Sequence, residues 1–231
     1  MCGRFTQRHS WSEIHALLGV FGPALNLRRR YNVAPTQRVA AVRLVEGERR
    51  LSMLRWGLIP SWAKDPSIGA RLINARVEAV SNKLAFRAAW KARRRALVPT
   101  EGFYEWTGPR TARQPWLIAM RDGAPFAFAA LWERWTVRED AVLRGSLAEL
   151  VPGDVLETFT ILTVDANAAV TPIHDRMPVI VPPNQFEPWL AGGDVPLGSY
   201  PPESMTIHPV STHVNKASHD DPRCIERVTL A

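Results

Sequence analysis

The residue with the most distinctive chemistry is Cys2, because removal of the initiator methionine would leave it at the N-terminus. A small second residue generally permits that removal. The product is a 1,2-aminothiol, whose α-amine (reference pKa about 7.7–8.0) and thiol (about 8.5) both have substantial nucleophilic fractions near neutrality. An aldehyde meeting this pair would form a Schiff base with the amine. The thiol would then add to the imine carbon and close a five-membered thiazolidine. Three other residues could assist. Glu105 lies between Tyr104 and Trp106, where desolvation would raise a carboxyl group towards the working range of a general acid or base. His174, in Ile173-His174-Asp175-Arg176-Met177-Pro178, is the best placed of six histidines because charged residues flank it. Asn74 opens Asn74-Ala75-Arg76-Val77-Glu78, where its plain role would be to cap a helix. Taken singly, Cys2 has the plain reading of a frayed end, Glu105 of a surface strand residue and His174 of a structural imidazole. Glu101, four residues before Glu105, leaves open which carboxyl would move protons.

The rest of the composition narrows the partners. The 231 residues suffice for one well-buried core, and we expect a single domain over 1–231. The net charge is +7, with runs at Arg28-Arg29-Arg30 and at Lys91-Ala92-Arg93-Arg94-Arg95, and nine tryptophans are spread through the chain. Arginine suits bidentate contact with phosphate, and basic grooves with aromatic platforms suit single-stranded nucleic acid. Separately, each run also reads as a solvated face and most of the tryptophans as core. Two cysteines, Cys2 and Cys224, offer no metal-ligand spacing, so no metal is expected, and Cys224 reads as a small buried residue. No apolar run reaches the length of a membrane span, and the polar start lacks a signal-peptide core, which predicts a cytoplasmic protein.

Several elements must position these groups. Ser10-Trp11-Ser12-Glu13 has the form of a capping box, with Ile14, Leu17 and Leu18 at helical spacing, so a helix should run to about Gly19 and hold the N-terminal segment against the body. Arg38–Val45 and Arg49–Arg55, joined by Glu46-Gly47-Glu48, read as a hairpin. Pro35 forces extended backbone on Ala34, in a loop that could face a ligand. Trp56-Gly57-Leu58-Ile59-Pro60-Ser61-Trp62 is an irregular loop whose two rings could serve as a wedge or cap the core. A helical stretch, broken near Asn82, is expected from about Asn74 to Arg94, and a short strand from Ala96 into Glu101. Trp116–Met120 and Phe126–Trp132, joined through Asp122-Gly123, read as a second hairpin. Thr158–Val164 and Val179–Val181 look like buried strands, Gln185–Leu190 like a helix and Met205–Val210 like a strand. The polar, turn-rich stretch from Thr136 to Leu156 reads as a variable loop or insertion, and the tail through Val214-Asn215 offers no clear chemistry.

The start MCGRFT, the segments YNVAPTQ, WGLIPSWAKD, INARVE and LVPTEGFYEW, and FTILTVDAN followed by IHDRMPVIV together resemble the SRAP family, the SOS-response-associated peptidase or abasic-site processing proteins. The resemblance covers almost the whole chain. It implies an α+β domain around a curved, barrel-like antiparallel β core with short flanking helices and a basic channel for single-stranded DNA. It further implies covalent joining of the N-terminal cysteine to abasic sites, in single strands or at single-strand/double-strand junctions. An opened abasic sugar exposes an aldehyde at C1′, so the resemblance and the aminothiol chemistry meet at Cys2. By motif position, Glu105 would transfer protons during ring opening and Schiff-base formation. Asn74 would orient the Cys2 amine or the sugar, and His174 would stabilise the opened sugar. Arg4 and Arg76 would hold phosphates, and Pro35, Trp56 and Trp62 would border the lesion. No cofactor is implied, and a monomer is expected because a strand-binding channel needs no second copy.

Three functions fit with different consequences. The leading one is a DNA-repair enzyme that crosslinks to abasic single-stranded DNA, with a minor lyase activity arising from the Schiff base. A cysteine peptidase with an N-terminal nucleophile would instead use the α-amine as base for the thiol, to remove its own leader. A non-catalytic single-strand binder would show salt-dependent affinity and no covalent product, and would leave Cys2, Glu105 and His174 without a shared purpose.

Overall fold

The computed structural model describes residues 2–109 and 111–230. The chain opens with β1 (Arg4–Gln7) and helix α1 (Trp11–Leu18), then β2 (Arg30–Val33), β3 (Arg38–Val45) and β4 (Glu48–Trp56). The predicted capping box forms: the Glu13 backbone N–H donates to Ser10 Oγ at 3.3 Å, and the Ser10 N–H donates to the Glu13 carboxylate at 2.7 Å. Gly19 ends the helix in the left-handed conformation, and Ile14 and Leu18 face the core. The hairpin of β3 and β4 also forms, with Glu46 and Gly47 both at positive φ in its turn.

The segment expected to be helical from Asn74 is instead strand β5 (Asn74–Arg76), followed by one turn, α2 (Val77–Val80), and then α3 (Arg87–Lys91). Tertiary pairing overrides the capping signal here, because β5 adds in parallel to a buried strand, Asn74 opposite Ile161. Next come β6 (Arg95–Thr100), β7 (Gly102–Thr107), β8 (Gln114–Met120), β9 (Phe126–Thr136) and β10 (Val155–Asp165). The chain finishes with β11 (Arg176–Pro178), β12 (Ile180–Val181), α4 (Phe186–Leu190) and β13 (Met205–Pro209).

Five strands, in the order β10, β4, β3, β6, β9, close on themselves because β9 pairs back onto β10. The expected barrel-like β core with short helices is present, and most of its pairings are antiparallel, but β10 runs parallel to β4 and to β5, so the barrel is mixed. Closure removes the sheet edges. It also explains why every residue of β6 is buried: helix and loop cover its outer face, with the Trp189 indole donating to the Ala96 carbonyl at 2.9 Å. The second sheet is antiparallel in the order β13, β8, β7, β1, β2. The expected hairpin of β8 and β9 therefore does not exist. Asp122-Gly123 carries the chain from one sheet to the other, and turn chemistry alone does not reveal which sheet receives the next strand.

Phe5 of β1 packs edge-on against Trp56 (5.0 Å between centroids) and Phe128 (5.7 Å), tying the sheet to the barrel. After Trp56 the chain turns at Gly57, whose φ of 117° excludes most side chains and whose added Cβ would lie 2.5 Å from the Gly69 carbonyl oxygen. The 137–154 excursion is packed rather than loose. Its Val137 and Leu147 join Ile59, Ala63, Trp135 and Leu156 in a separate apolar cluster.

Candidate active site

Three strand registers bring the chemistry-bearing residues together. In the antiparallel pair of β1 and β7, Arg4 lies opposite Tyr104 and Phe5 opposite Phe103. Continuing that register by one residue sets Gly3 against Glu105, so the N-terminus runs directly beside the carboxyl group. From the barrel, β5 supplies Asn74, whose Nδ2 donates to the Cys2 carbonyl at 2.8 Å. Its Oδ1 is buried and has no hydrogen-bond partner. The third register, Asp165 opposite Arg176 between β10 and β11, closes the loop that carries His174.

That loop is held by two residues. The Asn167 Oδ1 accepts from the backbone N–H groups of Ala169 (3.1 Å) and Val170 (3.0 Å). Arg176 is buried and donates to the Thr163 carbonyl (2.7 Å), the Glu78 carboxylate (2.7 Å) and the Asp165 carboxylate (2.5 Å). It thereby clamps INARVE to IHDRMP. The backbone N–H of Arg176 donates to His174 Nδ1 at 2.9 Å. Asp175 Oδ1 lies 2.8 Å from the same Nδ1, a contact that favours the charged ring.

A cleft of about 570 Å³ opens onto these groups and is lined by Gly3, Arg4, Glu105, Trp106, Gly108, Thr111, Arg113, His174 and Asn215. Arg4 is fixed by donating to Asn32 Oδ1 (2.8 Å) and to the Val214 carbonyl (3.1 Å). Trp106 is fixed by its indole N–H, which donates to Asn215 Oδ1 at 2.7 Å. Cys2 is fully buried behind this wall, and its thiol donates to the Arg4 carbonyl at 3.8 Å.

Burial sets the electrostatics. Desolvation, assisted by the charge of Glu105, pushes the Cys2 thiol far above its ordinary value. Glu105 is 3% exposed, and desolvation pushes its carboxyl up to about 7. Desolvation moves His174 the other way, below its ordinary value, against the opposing pull of Asp175. At neutral pH the site therefore holds a protonated thiol, a carboxyl near its midpoint and a largely neutral imidazole.

Of the residues singled out in the sequence, Arg4, Glu105 and His174 line one cleft, and Asn74 and Cys2 meet directly behind it. Trp56 does not border anything from outside. It is fully buried, near-parallel to Phe159, with its indole N–H donating to the Ile73 carbonyl at 2.9 Å, so its ring serves the core. Trp62 is 46% exposed, Arg76 is exposed and Pro35 is half-buried, but none of the three lines the cleft itself. Four residues were missed. Trp106 and Asn32 sit inside quoted motifs, whereas Arg113 and Asn215 reach the site only through tertiary pairing, and no local pattern marks them. Among the described residues, His213, Asp221 and Cys224 bring possible metal-ligand atoms within 4.8 Å of one another. Asp221 is already engaged there by Arg223 (Nε 3.1 Å, Nη2 3.0 Å) and by its backbone N–H, which gives the trio a structural role.

The family model described as SOS response associated peptidase (SRAP) matches residues 1–217, and the chain belongs to that family. It is 35% identical to the abasic site processing protein YoqW of Bacillus subtilis, over 98% of this chain and 99% of that one. It is 29% identical to the abasic site processing protein YedK of Escherichia coli, over 99% and 100%. With the abasic site processing protein HMCES of Xenopus tropicalis the identity is 31%, over 79% of this chain and 59% of the longer relative. A solved structure from Bacteroides thetaiotaomicron shares the fold at a TM-score of 0.83 and 22% identity, covering 99% of this chain and all of the other.

Proposed function

We propose that this protein senses abasic sites in single-stranded DNA and joins to them through Cys2 once Met1 has been removed. The observation that carries the reading is the convergence of three anchored groups on the N-terminus: Asn74 on the Cys2 carbonyl, Glu105 beside Gly3, and His174 across the cleft. The names of the relatives support the substrate class. The free Asn74 Oδ1 is placed to accept a hydrogen bond from the new α-amine, which would orient the nitrogen lone pair. The amine attacks C1′ of the ring-opened sugar, and Glu105 in its acid form protonates the carbonyl oxygen. Water leaves as the imine forms. Sγ then adds to C1′ while the thiol proton passes to the imine nitrogen, so aldehyde and aminothiol give thiazolidine and one water. Nε2 of His174 donates to the sugar hydroxyl released on ring opening. Arg4 and Arg76 hold flanking phosphates, and Trp62 and Pro35 border the lesion.

The raised thiol favours this order of events over a cysteine peptidase, whose nucleophile is activated by a lowered pKa or an adjacent base. Here the amine acts first, and the thiol traps the imine afterwards. The imine also acidifies C2′, which permits slow elimination of the 3′ phosphate as a minor lyase activity. We further read the protein as a cytoplasmic monomer acting on strands and junctions near the nucleoid.

The test is intact mass after denaturation, following incubation with a single-stranded oligonucleotide carrying one abasic site. Wild type should give one adduct, equal to protein without Met1 plus oligonucleotide less one water, and Cys2→Ala should give none. Cys2→Ser should retain slow strand nicking. Absence of an adduct from protein with a free Cys2 terminus, together with peptide hydrolysis, would overturn the proposal.

A further inference from the structure

Arg95 begins β6 on the barrel and is only 6% exposed. Its guanidinium sits 3.9 Å from the centroid of the Trp90 ring and 4.8 Å from that of Trp189. These aromatic faces offset part of the cost of burying a cation. Nε and Nη1 are both buried and have no hydrogen-bond partner among the described residues. Arginine remains charged under all ordinary conditions, and burial lowers this one only to about 10. Buried charges in proteins are normally paired. Arg94, next in the chain, follows that rule by pairing with Glu133.

The exception at Arg95 coincides with a cavity. About 290 Å³ opens beside the guanidinium, walled by Val77, Trp90, Trp189, Val195 and Leu197, with Asp194 also lining it. It shares no lining residue with the Cys2 cleft. Asp194 is the acidic residue that acts on Arg95 through space, but it is exposed, and Arg95 has no ion pair among the described residues. The opposing charge is Arg93. The site thus offers a fixed, largely desolvated cation beside largely apolar walls.

We propose that this cavity binds a carboxylate or phosphate group on the Arg95 guanidinium, with the apolar part of the molecule that carries it against Val77, Val195 and Leu197. Two forked oxygens suit a guanidinium far better than a halide does. Asp194, which lines the cavity and acts on the same cation, competes for it and so sets the affinity. A phosphate could be free or belong to a nucleic-acid backbone, and the experiment separates the two.

Full-length protein would be titrated with sodium benzoate and, separately, inorganic phosphate, against sodium chloride at matched ionic strength. The readouts are melting temperature, the amide resonances of Gly193, Asp194, Val195 and Leu197, and the indole resonances of Trp90 and Trp189. Benzoate should raise the melting temperature saturably, and more tightly than phosphate. Arg95→Gln should abolish the saturable part, and Asp194→Asn should bind several-fold tighter. Should Arg95→Gln fail to fold, Asp194→Asn still decides, together with Leu197→Trp, which should fill the cavity and block binding. A parallel arm measures affinity for an undamaged single-stranded oligonucleotide. Unchanged DNA affinity in Arg95→Gln assigns a free small anion, whereas weaker binding with a shallower salt dependence assigns a backbone phosphate. Resonances that do not move with either anion, in wild type and in Asp194→Asn, and DNA affinity that is indifferent to Arg95 would overturn the proposal.

Discussion

Glu101 and Glu105 are four residues apart, both largely enclosed, and the protein sets their acidities in opposite directions. Both suffer desolvation, which is the largest influence on each and raises both. At Glu101 it is outweighed. That carboxylate lies 2.8 Å from His9 Nδ1 and accepts from Thr6 Oγ1 (2.8 Å) and the Arg8 backbone N–H (2.8 Å), with the Arg8 guanidinium at 3.5 Å. Its acidity ends below the ordinary range of a glutamate. Glu105, facing the Cys2 cleft, receives less compensation and rises to about 7. Enclosure alone therefore does not make a proton-transfer group. What distinguishes the two is how many donors the surrounding strands aim at the carboxylate.

The largest test of this difference is Glu105→Gln. If Glu105 moves the proton in imine formation, the variant should crosslink abasic oligonucleotide about 10² to 10⁴ times more slowly, the usual range for loss of a general acid or base. Binding of undamaged strand should barely change. Single-turnover adduct formation followed by denaturing gel separates the two, and a wild-type rate in the variant would transfer the role elsewhere. The wild-type rate should follow a bell, rising as the α-amine loses its proton and falling on the alkaline side because Glu105, raised to about 7, has lost its own, and this alkaline fall should vanish in the variant.

How far the sequence foretold this site depends on which link is asked. The N-terminal aminothiol is legible because it follows from covalent chemistry at Cys2. The helix at Ser10 and the hairpin at Glu46-Gly47 are legible because their signals act within a few residues. Asn74 reads locally as a helix cap but is a strand residue, since the partner that makes it one lies at Ile161, far along the chain. Trp56 shows the same gap. Its irregular flanking sequence suggests an exposed ring, but Phe5 and Phe159 arrive from distant strands to enclose it. The separate duties of Glu101 and Glu105 were unreadable for the same reason, because Thr6, Arg8 and His9 reach Glu101 only through the pairing of β1 with β7.

Glu101→Gln should give the complementary, smaller result. It removes the charge that Arg8 and His9 face and weakens three contacts, so stability should fall by about 1–3 kcal/mol, the usual cost of disturbing buried hydrogen bonds to a charged group. Urea denaturation monitored by tryptophan fluorescence measures that loss. The folded variant should still crosslink at near the wild-type rate. A folded Glu101→Gln that cannot form the adduct would mean that the two carboxyl groups work together.

The subtlest consequence is in how stability varies with pH, where the two groups should pull in opposite directions. Glu105 is raised from 4.5 to about 7, so between those values the unfolded chain binds fewer protons than the folded one. Its contribution is fully present below pH 4.5 and is lost as pH rises through 7, a swing on the order of 3 kcal/mol from 1.36 kcal/mol per unit. Glu101 is lowered, so the unfolded chain binds more protons there, and its contribution is present above 4.5 and lost as pH falls through its folded value. Glu105→Gln should therefore flatten the decline in stability between pH 5 and 8, and Glu101→Gln should flatten the decline on the acid side. Urea midpoints at pH 4, 5, 7 and 8 for wild type and both variants read these slopes. A Glu105→Gln profile parallel to wild type from pH 5 to 8 would show that its carboxyl titrates normally, and the contrast between the two glutamates would fail.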